Sequence, residues 1–329
     1  MSEMRDLSAS PATLEISASD GYPLRGFVWR HAADVAEARR GRPVVIVNPA
    51  TSVRCRYYAR FAGFLHARGF DVITYDYRGI GESRPATLKG FRASWIDWGR
   101  LDFEAVLRHA NEAFPGQPVQ VVAHSVGGFL IGLAPSNRLI GRVFTMGAQF
   151  AYWGDYAPKK RLGMLLKWHV AMPALAALFG YFPGKRLGWL EDTPRGVVRD
   201  WTARHPRFED AYRRELSEAQ RDQMVAGFAA MEGATLALSV SDDEYGTPAA
   251  VERLLGYFDN SATTHLHLAP ADAGLAQIGH FAFFHERHEA TLWPLALAWL
   301  QSGRLPADAP GRIVKPARAA RPTCAPLRT

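Results

Sequence analysis

The run Val121-Val122-Ala123-His124-Ser125-Val126-Gly127-Gly128 sets a hydroxyl between an apolar stretch and two glycines. The apolar part reads as a buried strand ending near Ala123, and a helix begins near Gly127. So abrupt a strand–turn–helix forces its central residue into a strained backbone conformation and turns that side chain outward. The residues two before and two after must then be small, which Ala123 and Gly127 satisfy. The exposed hydroxyl of Ser125 also lies at a helix N-terminus, whose free N–H groups favour developing negative charge. Nucleophilic attack with anion stabilisation is the chemistry such a place can do.

The flanking segments supply the frame. "ATLEISASDGYPLRGFVWR" reads as two strands with a turn at Asp20-Gly21. "PVVIVN", "DVITYDY", "PVQVVAH" and "RVFTMGAQF" are short apolar strands, separated by helical patterns such as "YYARFAGFLHARGF" and "SWIDWGRLDFEAVLRHANEAF". Continuous apolar strands alternating with helices predict an α/β fold, a mostly parallel twisted sheet flanked by helices. After the sixth strand, residues 151–230 break the rhythm with Trp153, Trp168, Trp189 and Trp201, helical patterns and no clear strand. "ATLALSV" and "TTHLHLAP" then resume the sheet, and "HEATLWPLALAWLQSG" reads as a closing helix. The expected organisation is a core of residues 1–150 and 231–302, a helical cap over 151–230, and a basic, disordered tail over 303–329.

The Ser125 run resembles the G-x-S-x-G nucleophile elbow of the α/β-hydrolase fold, with Ala123 in place of the first glycine. That resemblance implies a serine hydrolase whose acid and base follow in the order Ser, acid, His. "QIGHFAFF" places His280 in a Gly-flanked loop after the last strand, within reach of Ser125 across the strand ends. The phrase is similar to the histidine loop of a group of bacterial α/β-hydrolases. "ALSVSDDEYGTP" carries an Asp-Asp pair before a proline, as that group does. The resemblance favours Asp243 as the acid, with Asp242 the alternative. It also implies an oxyanion hole built from the Val126 N–H and an N–H of "VNPATSV". Pro49 has none, so Ala50 is expected there, with Thr51 the alternative. Asp76, Arg78 and Gly81 of "TYDYRGIGES" read as structural.

The activity implied is hydrolysis of carboxylic esters or thioesters with a hydrophobic acyl group, through an acyl-enzyme on Ser125. An acyltransferase would use the same residues, and a non-catalytic binding protein would keep only the fold. The resemblance implies a small-molecule substrate and no cofactor or metal. His265 and His267 alternate along a strand, and His124, His205, His285 and His288 lack the company a metal needs.

Bulk properties bound the rest. The 329 residues are 48% hydrophobic and 22% charged, a globular composition. Of the net charge of +7, residues 303–329 hold +5, leaving +2 for the other 302. The basic excess therefore predicts a solvated tail and no nucleic-acid partner. No apolar run reaches the roughly 18 uncharged residues of a membrane span, and Pro173 is expected to break an amphipathic helix within 162–182. No stable membrane insertion is expected. Two isolated cysteines, Cys55 and Cys324, and no apolar leader predict a reduced, cytoplasmic protein. The sequence leaves the oligomeric state open.

Overall fold

A computed structural model describes residues 10–32 and 41–315. Its nine-stranded sheet contains β1 (Ala12–Ser17), β2 (Pro23–Trp29), β3 (Val44–Asn48), β4 (Asp71–Tyr75), β5 (Val119–His124) and β6 (Ile140–Met146). Strands β7 (Tyr181–Phe182) and β8 (Thr193–Pro194) form a separate two-stranded ladder. The large sheet resumes with β9 (Ala234–Val240), β10 (Thr263–Leu268) and β11 (Arg312–Lys315). Its order is β1-β2-β4-β3-β5-β6-β9-β10-β11, parallel from β4 to β10. Strand β2 is antiparallel to β4, and β1 to β2.

The central strands are fully buried because both faces are covered. Val44 and Ile46 turn to one face, against Phe103 and Leu107. Val45 and Val47 turn to the other, against Phe61, Leu65, Trp293 and Trp299. This alternation puts apolar residues on both sides of one strand and explains the unbroken runs in the sequence. The covering helices include α1 (Ala59–His66), α2 (Glu104–Ala113) and α3 (Val126–Leu133).

Between β6 and β9 lie α4 (Arg161–Phe179), α5 (Arg195–Trp201) and α6 (Glu218–Ala229). Helix α4 runs through Pro173, contrary to the break expected there. A π turn over Lys167–Ala171 precedes the proline, which sits at the start of the next α-helical segment. A widened turn relieves the clash with the carbonyl one turn back and leaves no N–H missed. By length and composition, α4 could cross a membrane.

Two further expectations change. Helix α6 lies inside the stretch assigned to the cap, yet its Phe228 packs where a side chain on Gly132 of α3 would stand. A parallel β6–β9 crossover requires a helix on the sheet, and α6 provides it. The tail expected to be disordered contributes Arg312–Lys315 as an antiparallel edge strand on β10. Its Ile313–Val314 pair gives it enough β character to dock, while residues 316–329, with Cys324, lie outside the described residues. Helices α7 (Pro248–Leu255) and α8 (Trp293–Ser302) complete the layers.

Candidate active site

Ser125 stands between β5 and α3 with φ 55° and ψ −124°, a region that side-chain-bearing residues rarely enter. Its own N–H donates to Met146 O at 3.0 Å, and its carbonyl accepts from Gly128 N at 3.1 Å. These bonds hold the turn. A Cβ on Gly127 would lie 2.5 Å from Asn48 O, so the residue two beyond the serine must be glycine for α3 to approach β3. The first residue of α3, Val126, follows the serine with an N–H that has no partner among the described residues, as a helix start leaves it.

Asp243 follows β9 and His280 follows β10, both at the carboxyl ends of the parallel strands. His280 Nδ1 meets Asp243 Oδ2 at 2.7 Å in buried surroundings. Because a carboxylate only accepts, that ring nitrogen carries the proton and Nε2 is the basic one. Asp243 Oδ1 accepts from Tyr245 N at 2.7 Å and Gly246 N at 2.8 Å, which fixes the carboxylate. Asp242 faces elsewhere and accepts from Ile278 N at 2.9 Å, anchoring the loop that carries His280. At Gly147 (φ 57°), a Cβ would sit 2.7 Å from Asp243 Oδ2 and 3.0 Å from His280 Nδ1, so only glycine leaves room for the pair.

Ser125 and His280 line one cavity of about 160 Å³, together with Trp95, Trp168, Trp189 and Trp201. No hydrogen bond joins Ser125 Oγ to His280 among the described residues. The hydroxyl instead accepts from Gln149 Nε2 at 3.2 Å. Contacts between nucleophile and base are often long in the ligand-free state and tighten when substrate binds. Gln149 is held in turn by the Ala151 N–H on its Oε1. The sequence reading missed this residue. Its signal was position, just beyond β6, the strand next to the nucleophile's.

The oxyanion expectation is corrected at Ala50. The Ala50 N–H donates to Tyr58 Oη at 2.9 Å, so it is already engaged. Thr51 lines the cavity, and its N–H has no partner among the described residues. Behind the loop, His124 Nε2 contacts His280 O at 2.8 Å, which requires a proton on that nitrogen. Burial and the neighbouring His280 hold the His124 pKa well below its usual value, so the ring is neutral. Its Nδ1 then accepts from Tyr58 at 2.8 Å. One buried chain thus links the oxyanion loop, the elbow and the histidine loop.

The remaining sequence candidates are structural. Asp76 accepts from Cys55 N at 2.7 Å and Glu82 N at 2.8 Å, while Arg78 is clamped by Asp102 and Asp20. Burial of Asp76 raises its pKa to about 6. His265 and His267 bond Ser239 on the neighbouring strand.

A strained serine at the elbow, an Asp–His pair on later strand ends and a parallel sheet define a serine hydrolase of the α/β-hydrolase fold. Residues 40–215 match the family model described as Hydrolase_4, serine aminopeptidase, S33, and the chain belongs to that family. No curated protein matches it in sequence. Among solved structures it is similar to a Pyrococcus furiosus esterase (14% identity, 87% of this chain and 89% of that one, TM-score 0.53). It is also similar to the esterase domain of a Rhodothermus marinus protein (14% identity, 89% and 98%, TM-score 0.51). A puromycin-hydrolysing peptidase of Mycobacterium tuberculosis is similar over 91% of this chain (14% identity, TM-score 0.52), although this chain spans only 41% of its length.

Proposed function

We propose that the protein hydrolyses small carboxylic esters or thioesters with a compact hydrophobic acyl group. The observation that carries this reading is the composition of the cavity shared by Ser125 and His280. Four tryptophans line it, and no Asp or Glu does among the described residues. An aminopeptidase must recognise a free ammonium group, and a carboxylate is the usual counter-charge for one. Here the lining carries a cation, Lys167. A volume of about 160 Å³ is close to that of an engineered cavity of roughly 150 Å³ that binds benzene, so a ring or short chain fits.

Ser125 Oγ attacks the acyl carbonyl as His280 Nε2 takes its proton, and the carbonyl π electrons move to the oxygen. The Val126 and Thr51 N–H groups hold that oxyanion. On collapse the bond to the leaving group breaks, and His280 returns the proton to it. Water then repeats the sequence on the acyl-enzyme, regenerating Ser125 and releasing the acid. Asp243 keeps His280 in the required tautomer and stabilises the imidazolium. Residues 151–217 act as the cap that excludes water from this cavity.

The test is turnover of aryl esters from acetyl to octanoyl, beside the matching aminoacyl arylamides, with Ser125→Ala as control. The expected result is a short-acyl optimum and negligible arylamide cleavage. Preference for the arylamides would overturn the substrate reading.

A further inference from the structure

We propose that the outer face of α4 is a docking surface for an anionic lipid layer. Apart from Arg161, Lys167 and His169, the helix consists of apolar and small residues. Met164, Trp168, Met172 and Ala176 form the inner stripe, buried against the protein. On the other side Leu162, Leu166, Val170, Ala174 and Leu178 recur four residues apart and are exposed. Leu178 is 75% exposed, Leu162 68% and Leu166 53%. A helix in contact with water on one side normally carries polar residues there, so an apolar outer stripe marks a contact surface.

The charges around it identify the contact. From Tyr156 to Leu190 the chain carries Lys159, Lys160, Arg161, Lys167, Lys185 and Arg186, and no Asp or Glu. Lys160 meets Glu244 at 3.5 Å. The side chains of Lys159, Arg161, Lys185 and Arg186 form no ion pair among the described residues, although the Lys185 backbone N–H donates to Asp192 Oδ1 at 3.1 Å. A second copy docked face to face about a two-fold axis would set these cations against their own kind. An anionic lipid surface accepts both the leucines and the cations. The inner stripe stays packed, so the helix lies along the layer and does not cross it. The inner side of the same helix lines the cavity shared by Ser125 and His280 through Lys167 and Trp168. The surface is independent of the reading of the triad, because binding requires no turnover.

The test is co-sedimentation of the full chain with phosphatidylcholine vesicles, with and without phosphatidylglycerol. Binding is expected to be at least about 10-fold tighter with phosphatidylglycerol and to weaken as salt rises. The Leu166→Asp/Leu178→Asp variant should lose binding by about 10-fold or more, while turnover of a small dissolved ester stays within about 2-fold. Lys159→Glu/Lys185→Glu should remove the preference for phosphatidylglycerol. No binding by the wild type, or undiminished binding by the Asp variant, would overturn the proposal. So would a dimer by light scattering that the Asp variant dissolves, which would give the face to a second copy.

Discussion

At the scale of single residues, the two adjacent aspartates separate by orientation alone. Asp243 accepts a hydrogen bond from His280 Nδ1, whereas Asp242 accepts one from the backbone N–H of Ile278. Asp243→Asn should therefore lower kcat by roughly 10⁴, the typical loss when a triad histidine takes the wrong tautomer. Asp242→Asn keeps an acceptor for Ile278 and should cost far less, with kcat/KM in the folded variants as the readout. Gln149 offers a second contrast. Its Nε2 points a donor at Ser125 Oγ, so Gln149→Glu would set a carboxylate oxygen against the hydroxyl and the forming oxyanion. A fall of about 10²–10³ in kcat is expected, comparable to losing an oxyanion donor, with melting temperature confirming the fold. The serine was legible because its neighbours reported a backbone constraint. The oxyanion donor was not, because Ala50 is disqualified by Tyr58, a side chain eight positions later on a different element. Gln149 was hidden for the same reason, since nothing in "MGAQF" shows which way its amide points.

At the scale of elements, the parallel strands were legible wherever burial on both faces left unbroken apolar runs, as in Val44–Asn48. The two-residue strands β7 and β8 leave no periodicity to find, and β11 was concealed by a basic, proline-rich context. The path of α4 through Pro173 depended on a π turn that no residue pattern announces. The junction of cap and core also carries a titrating group. Asp200 on α5 accepts the Trp95 N–H at 2.7 Å, and burial raises its pKa to about 7 from the usual 3.8. The folded state thus favours the protonated acid. That stabilisation is present in full below about pH 4 and is lost as the pH rises through 7. Asp200→Asn keeps an acceptor but cannot ionise. Its melting temperature relative to wild type should climb between pH 4 and pH 8, and a constant difference across that range would refute the assignment.

At the scale of the whole molecule, one apolar cluster runs from β3 and α3 into Trp168, Met172 and Trp201, so the segment between β6 and β9 is packed against the sheet layers. The cavity lined by Ser125 and His280 is a gap left in that packing, and Trp168, Trp189, Leu190 and Trp201 help to set its size. Replacing Trp189, a half-buried lining residue, with alanine should enlarge it and move the preferred acyl chain to greater length, measured as kcat/KM along an ester series. The central claim remains that Ser125 is a nucleophile activated by His280. Its most direct measurement is the intact mass of the folded protein after a fluorophosphonate, with the adduct mapped by peptide mass. One adduct at Ser125 is expected, absent in Ser125→Ala and strongly slowed in His280→Ala. A folded wild type that remains unlabelled, or an adduct that persists in Ser125→Ala, would contradict it.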